Sequence, residues 1–343
     1  MDYARLPLAC KIGGGRSERW AIMPMVNTVL GPISADTLGV TLMHEHIVCG
    51  TPGWHPDNRL SAFEREAVVK ASLATMEQLK ACGVRTLVDV TTNDTGRDAG
   101  LLKEVSQKSD TNIICATGLY RETEGALAYF RLGSHTGDAT SEIYELFLQE
   151  ITEGIGTTVV KAGVIKVGTS HGRISRYEEM VLRAAARAQK ETDVPIITHT
   201  ERGTMGPEQA DLLISEGVAP ERIMVGHCGG SADLKYHVAI LEKGVYVAFD
   251  RLGLDVAQPD LLRKACIIGL IGIGYAKRIM LSHDSIVQFL GRPNWHDIAQ
   301  VLPNWVPTHV FKHIIPTLKE AGVTGDKIDM MMVENPRRLF GGE

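Results

Sequence analysis

Two histidines one residue apart, His44 and His46, close the run Thr-Leu-Met-His-Glu-His near the start of the chain. In a β-strand, residues i and i+2 leave the same face, so both imidazoles can reach one metal ion. Alone, that spacing is a weak signal. It gains weight because further ligand-competent side chains lie at or near the ends of later apolar runs: Lys166, His199, His227 and Asp284. Imidazoles and a carboxylate gathered at strand ends suit a metal-dependent hydrolase, in which cations acidify a water and polarise the bond it attacks. Lys166 sits inside Val-Ile-Lys-Val, where a charged amine is costly. It is either a surface or salt-bridged lysine or a carbamate formed with carbon dioxide, an anion whose two oxygens can bridge two divalent ions.

The elements that must position these groups are short apolar runs at 39–43, 85–90, 112–116, 163–167, 195–198, 222–225, 245–249 and 278–281. They are rich in β-branched residues and mostly do not alternate with polar ones, as expected of strands buried on both faces. Helix signals separate them. Ser61 with Glu64, and Ser175 with Glu178, read as capping boxes, and Pro207 as a first-turn proline. A last helix is expected over 311–321. Strand and helix alternating over eight units predict an α/β fold of the (β/α)8 TIM-barrel class, with the active groups at the C-terminal ends of the strands. A doubly wound sheet is the alternative. The connection 285–307, carrying Trp295 and Trp305, follows the eighth strand and is expected over the catalytic mouth.

Composition narrows the function classes. The 343 residues carry a net charge of −5 and no Lys/Arg-rich stripe, which argues against nucleic acid as a partner. The six cysteines are scattered without a C-x-x-C pair, a usage that suits a cytoplasmic protein. Cys49 and Cys228 follow ligand segments and are candidates to line a pocket, whereas Cys115 reads as a core residue. No secretory signal is evident, and the longest apolar stretch, 265–276, is too short to span a bilayer. Glycines at 13–15 and 269–274 do not sit between a strand and a helix as a dinucleotide-binding loop requires. A non-catalytic barrel would be expected to have lost a ligand, and all six positions are filled.

The run Gly-Val-Thr-Leu-Met-His44-Glu-His46, the segment Lys-Ala-Gly-Val-Ile-Lys166-Val, then Ile-Thr-His199-Thr, Val-Gly-His227-Cys-Gly and Leu-Ser-His-Asp284 resemble the phosphotriesterase family of the amidohydrolase superfamily. The resemblance extends over about 27–340. It implies a (β/α)8 barrel, residues 27–343 after an N-terminal extension 1–26, with two divalent metal ions. By match, His44, His46 and Asp284 hold one ion and His199 and His227 the other, with carboxylated Lys166 and a hydroxide bridging both. Zinc is the default for imidazole-rich sites, with cobalt, manganese or iron as alternatives. Asp284 would take the proton as hydroxide attacks, and His227 would serve the reaction beside it. A homodimer is also implied.

Within the family the chain looks most like the lactonase branch, through Tyr120 in Thr-Gly-Leu-Tyr and the segment Asp250-Arg251-Leu252-Gly253-Leu-Asp255. Tyr120 would hydrogen-bond the hydroxide or a substrate oxygen. Arg251 would anchor its loop through Asp250 or Asp255, or else touch substrate. Glu122 and Leu252 stand where the branch commonly has aromatics and would alter the pocket wall. Trp295 would line an acyl or aryl subsite, or pack the loop down. The expected substrate is a small neutral lactone such as an N-acyl homoserine lactone, with weaker phosphotriester hydrolysis. A dedicated phosphotriester, aryl ester or amide hydrolase is the alternative.

Overall fold

The computed structural model describes residues 9–10, 21–22, 24–54, 64–124, 128–291 and 295–342, with backbone alone at 9–10, 21–22, 134–136 and 295–297. Its centre is one parallel sheet. The strands, in chain order, are β1 Val40–Cys49, β2 Val84–Asp89, β3 Asn112–Gly118, β4 Val164–Gly168, β5 Ile196–His199, β6 Ile223–Gly226, β7 Tyr246–Phe249 and β8 Ile279–Leu281. Each pairs with the next from β1 through β8. After Leu281 the chain breaks its ladder for four residues and resumes pairing at Ile286–Phe289, now against β1. The intervening residues close the seam: Asp284 N donates to His44 O at 3.0 Å, and His46 N to Ser285 O at 2.8 Å. The interrupted eighth strand thereby seals the sheet into the expected barrel.

Alternation is present along the strands but hidden by burial on both faces. Val88, Ile114, Ala116, Val164, Ile197, Met224, Tyr246, Ala248 and Met280 fill the barrel interior, and Leu38, Leu339 and Phe340 pack with them. Their neighbours Leu87, Ile113, Cys115, Ile165, Ile196, Val225 and Val247 face the helices in the second apolar layer. Two residues beyond the inward-facing Val164, Ile197 and Ala248 come Lys166, His199 and Asp250. The side-chain layer above the apolar plug is therefore the polar one.

Strand β1 runs six residues past the expected 39–43, so both histidines lie within it. Its register against β2 shifts between Leu42 and Glu45, a bulge that re-aims the side chains beyond it. The Ser175–Glu178 capping box opens the helix Arg176–Thr192 as expected. Ser61 of the other box lies outside the described residues, and that helix begins at Arg65. The helix expected to be the last is a π segment, Val310–Ile314, running into Ile315–Glu320, and it is not the last: the segments Gly325–Asp329, Met330–Glu334 and Asn335–Gly341 follow it. The connection after β8 holds the resumed strand Ile286–Phe289 and a helix Trp295–Val301.

Glu45, the residue between the two histidines, holds the seam. Its buried carboxylate accepts from Ser282 Oγ and His283 N at 2.9 Å, His283 Nδ1 at 2.7 Å, Ser285 N at 2.8 Å and Ser285 Oγ at 2.5 Å. His283 Nε2 accepts in turn from Val310 N at 3.0 Å, so its Nδ1 carries the proton given to Glu45. Burial would raise the Glu45 pKa, but His283 and the serine hydroxyls outweigh it and hold it below the ordinary value of 4.5. A group lowered in this way stabilises the fold above about that value, and its contribution is lost as pH falls through the folded-state value. Glu45→Gln is expected to cost about 3 kcal/mol at neutral pH by leaving buried donors poorly matched. Thermal melts of the two proteins should differ at pH 7 and converge on acidification; equal melting temperatures at pH 7 would remove the clamp.

Candidate metal centre

His44, His46, Lys166, His199, His227 and Asp284 all line one cavity of about 220 Å³ at the C-terminal ends of the strands. His227 and Asp284, each just past a strand end, both have left-handed backbones (φ 57°), a conformation few non-glycine residues adopt. Gly118 lets β3 approach β4: a Cβ there would sit 1.8 Å from Lys166 O.

Hydrogen bonds to one ring nitrogen leave the other free to bind an ion. His46 Nδ1 lies 2.7 Å from Thr91 Oγ1, whose own proton goes to Val48 O, so His46 must be the donor. His44 Nδ1 and His227 Nδ1 meet the two oxygens of a single carboxylate, Asp250, at 2.7 and 3.0 Å. Asp250 also accepts from His227 N at 2.7 Å. His199 Nε2 is 3.1 Å from Glu201 Oε2, leaving its Nδ1 on the side of Tyr120, whose hydroxyl is 3.4 Å away. The freed His46 Nε2 and His44 Nε2 converge on Asp284 Oδ1 at 3.0 and 3.3 Å. His227 Nε2 is 3.8 Å from Asp284 Oδ2. Lys166 Nζ lies 3.4 Å from His44 Nε2.

This donor set fits divalent ions. His44, His46 and Asp284 can each offer an atom within 4.8 Å of the others. A second grouping, His44, His227 and Asp250, meets the same distance test. There the ring nitrogens nearest the carboxylate are already hydrogen-bonded to it, so Asp250 orients both rings. Burial, Arg251 and the His44 imidazole drive the His227 pKa down to about 3 despite Asp250 and Asp284, and burial likewise holds His199 well below its ordinary value. Both therefore keep a lone pair at neutral pH. Burial opposes ionisation of Asp250 and Asp284, but His227 and His44 beside each, with Arg251 beside Asp284, hold both well below the usual carboxylate range. Burial lowers the Lys166 amine to about 8.

Several pocket residues differ from expectation. Arg251 anchors neither to Asp250 nor to Asp255: its Nε donates to Asp284 Oδ2 at 2.8 Å, since both other carboxylates are engaged elsewhere. Leu252 is fully buried in the layer beneath the helices, and Leu254 forms the cavity wall instead. Glu122 does not line the cavity. Its backbone N–H caps onto Glu178, and Glu124, paired with Arg121 at 2.6 Å, is the acid that does. The Trp295 side chain lies outside the described residues; Trp305 lines the wall, its Nε1 donating to His283 O at 3.0 Å. Cys49 lines the cavity, whereas Cys228 is buried with its thiol on Val225 O. Sequence reasoning passed over Glu45, Thr91 and Glu201, and took Asp250 only as an anchor. The one signal for the first was an acid within a buried strand.

Residues 24–340 match the model of the phosphotriesterase family. The chain is 36% identical to the phosphotriesterase homology protein of Mycobacterium tuberculosis over 93% of this chain and 98% of that one. It is 35% identical to the aryldialkylphosphatase of Saccharolobus solfataricus, covering 90% and 96%. Among solved structures, the organophosphorus hydrolase from Deinococcus radiodurans superposes with a TM-score of 0.90 at 45% identity, covering 94% of this chain and 99% of that one. A mutant phosphotriesterase-like lactonase from the same organism gives 0.90 at 45%, covering 92% and 100%. With the family matched nearly end to end and a His/Asp group able to hold metal, this chain belongs to the phosphotriesterase family and is a metal-dependent hydrolase.

Proposed function

We propose that the protein hydrolyses small neutral lactones, N-acyl homoserine lactones among them, and acts more weakly on phosphotriesters. The observation that carries this reading is the cavity wall. Val90, Leu254, Ile286, Phe289 and Trp305 surround the metal-ligand cluster, and the one arginine among them, Arg251, is occupied by Asp284. Such a wall favours an apolar chain on an uncharged ester. The relatives named lactonases at high coverage, a phosphotriesterase-like lactonase and a phospho-furanose lactonase, support lactone hydrolysis, and the apolar wall supports a neutral lactone.

His44, His46 and Asp284 would hold one ion, His199 and His227 the other, and a carboxylated Lys166 both. When bound, the ions supply Lewis acidity and a water acidic enough to attack at neutral pH. The chain's own groups do the rest. Asp284 would take the proton released as the ester carbonyl carbon is attacked, and pass it on to the leaving alkoxide. The Tyr120 hydroxyl, pushed up to about 12 by burial, stays protonated and donates to the substrate oxygen or leaving alkoxide. Its placement beside His199 Nδ1 supports that role. Lys166 would be modified through its neutral amine: nitrogen bonds to the carbon of CO2, and one proton leaves to solvent. A lysine near 8 offers about a tenth of its molecules in that form at pH 7. Residues 27–343 form the catalytic domain on this reading, 1–26 an extension, and the working species is a cytoplasmic homodimer with zinc.

Parallel assays on an acyl lactone, an aryl dialkyl phosphate and an aryl ester test the substrate. A lactone preference above tenfold in kcat/KM, about 1.4 kcal/mol, is expected. A triester preferred over the lactone would transfer the reading to a dedicated phosphotriesterase, the activity named for the Saccharolobus relative. Asp284→Asn and His199→Asn should lose turnover while circular dichroism stays unchanged. Lys166→Ala should lose metal and activity together, with partial return on adding short carboxylic acids. Asp250→Asn should weaken metal retention against a chelator by 10- to 100-fold, because an amide cannot accept from both imidazoles as a carboxylate does. Retention like that of the unaltered protein would show that the two rings hold themselves.

A further inference from the structure

We propose a second metal site, built on His309 and His313 on the outer side of the barrel. The two histidines lie four residues apart where the π segment Val310–Ile314 leads into the helix Ile315–Glu320, and their ring centroids are 4.9 Å apart at 33°. Histidines at i and i+4 on one helix face form a recurrent bidentate metal grip. Two imidazoles bonded at about 2.0–2.1 Å to one ion, with a near-tetrahedral angle, bring their centroids to about 5 Å. The imidazole pairs at the barrel mouth span 4.5 to 5.6 Å.

A separate observation points to a ligand. His309 is buried, and its Nε2 lies 2.7 Å from Asp260 Oδ2. The carboxylate takes that N–H, so Nδ1 carries the lone pair. Among the described residues this Nδ1 has no partner, although it is buried. His309 and His313 both line a cavity of about 360 Å³, with Asp255, Asp260 and Asn304 in its wall. A carboxylate on one nitrogen and an unpartnered second nitrogen is the arrangement that raises imidazole basicity toward a metal. The same carboxylate orders the mouth: Asp260 accepts from Gly253 N at 3.0 and 3.1 Å, two residues after Arg251. An ion on His309 would therefore brace the loop that carries Arg251 and Leu254.

Lys264 and Lys312 share the cavity wall, and their ammonium groups oppose a cation. The site is thus suited to ions that hold neutral imidazole strongly, Cu²⁺, Ni²⁺ or Zn²⁺, and not to Ca²⁺ or Mg²⁺. Water completes the coordination.

The test uses holoenzyme already saturated with its catalytic ions, titrated with Cu²⁺ and read by calorimetry and by electron paramagnetic resonance. One additional ion per chain with a nitrogen-coupled signal is expected. His313→Ala, at an exposed position outside the catalytic machinery, and His309→Gln should each weaken that binding at least thirtyfold. Lactone and triester turnover before the titration should be unchanged in His313→Ala. An extra-ion stoichiometry and signal identical in the unaltered protein and in His313→Ala would overturn the site, as would no extra ion in the unaltered protein. Neither result bears on the catalytic reading, because turnover of the loaded enzyme is measured before any Cu²⁺ is added.

Discussion

The centre depends on one buried carboxylate that touches no substrate. Glu45 gathers donors from Ser282, His283 and Ser285 onto β1, between the two histidines of its own strand. Because side chains alternate, turning Glu45 outward to this seam turns His44 and His46 inward. The same bonds bring Asp284 against those histidines from the far end of the chain. Closure of the barrel and assembly of the first ligand trio are one event. A carboxylate can do this where an amide cannot: every partner there is a donor, and charge-assisted bonds offset the desolvation of a buried acid.

A second carboxylate links the two halves of the cluster. Asp250 receives one imidazole assigned to each ion, and a backbone N–H besides. His44 and His227 come from β1 and the end of β6, with β7 and β8 between them, so their relative placement is set by a shared acceptor and not by either strand alone. With Thr91 fixing His46 and Glu201 facing His199, each histidine of the cluster has one nitrogen committed. The result is a preorganised set of lone pairs, with little conformational freedom left to lose on binding.

The barrel was legible because eight buried parallel strands leave a plain signal, short runs of Val, Ile and Leu divided by helix caps. The six candidate ligands were legible because they lie at or near the ends of those runs, and Lys166 and His199 simply continue the inward alternation begun by Val164 and Ile197. What stayed hidden arises between strands. Glu45 meets Ser282 across 237 positions, and Asp250 meets His44 across 206. The bulge in β1 depends on its pairing with β2, the left-handed backbone of Asp284 accompanies its bond across the seam to His44, and that of His227 its bond to Asp250. Pocket walls were the least legible part. A shift of two residues separates Leu252 from Leu254 and Glu122 from Glu124, and the turns that decide it have no periodicity to read.

Charge explains why Lys166 belongs in such a place. As an ammonium beside a divalent ion at about 4 Å, it would meet repulsion of roughly 8 kcal/mol at an effective dielectric of 20. Burial already brings its amine to about 8, so removing the proton costs little more than a unit of pKa at neutral pH. The carbamate proposed for it would reverse the sign, turning that repulsion into attraction of similar size, while the amine alone would add one weak donor. Asp250 is committed to imidazole N–H groups, and Asp284 is shared with Arg251. Few negative charges therefore remain to balance two dications, and a modified lysine is the group best placed to supply one. The residual positive charge of the loaded mouth then suits the reaction proposed: a neutral ester enters a wall of Leu254, Ile286, Phe289 and Trp305, and charge appears only as the carbonyl is attacked.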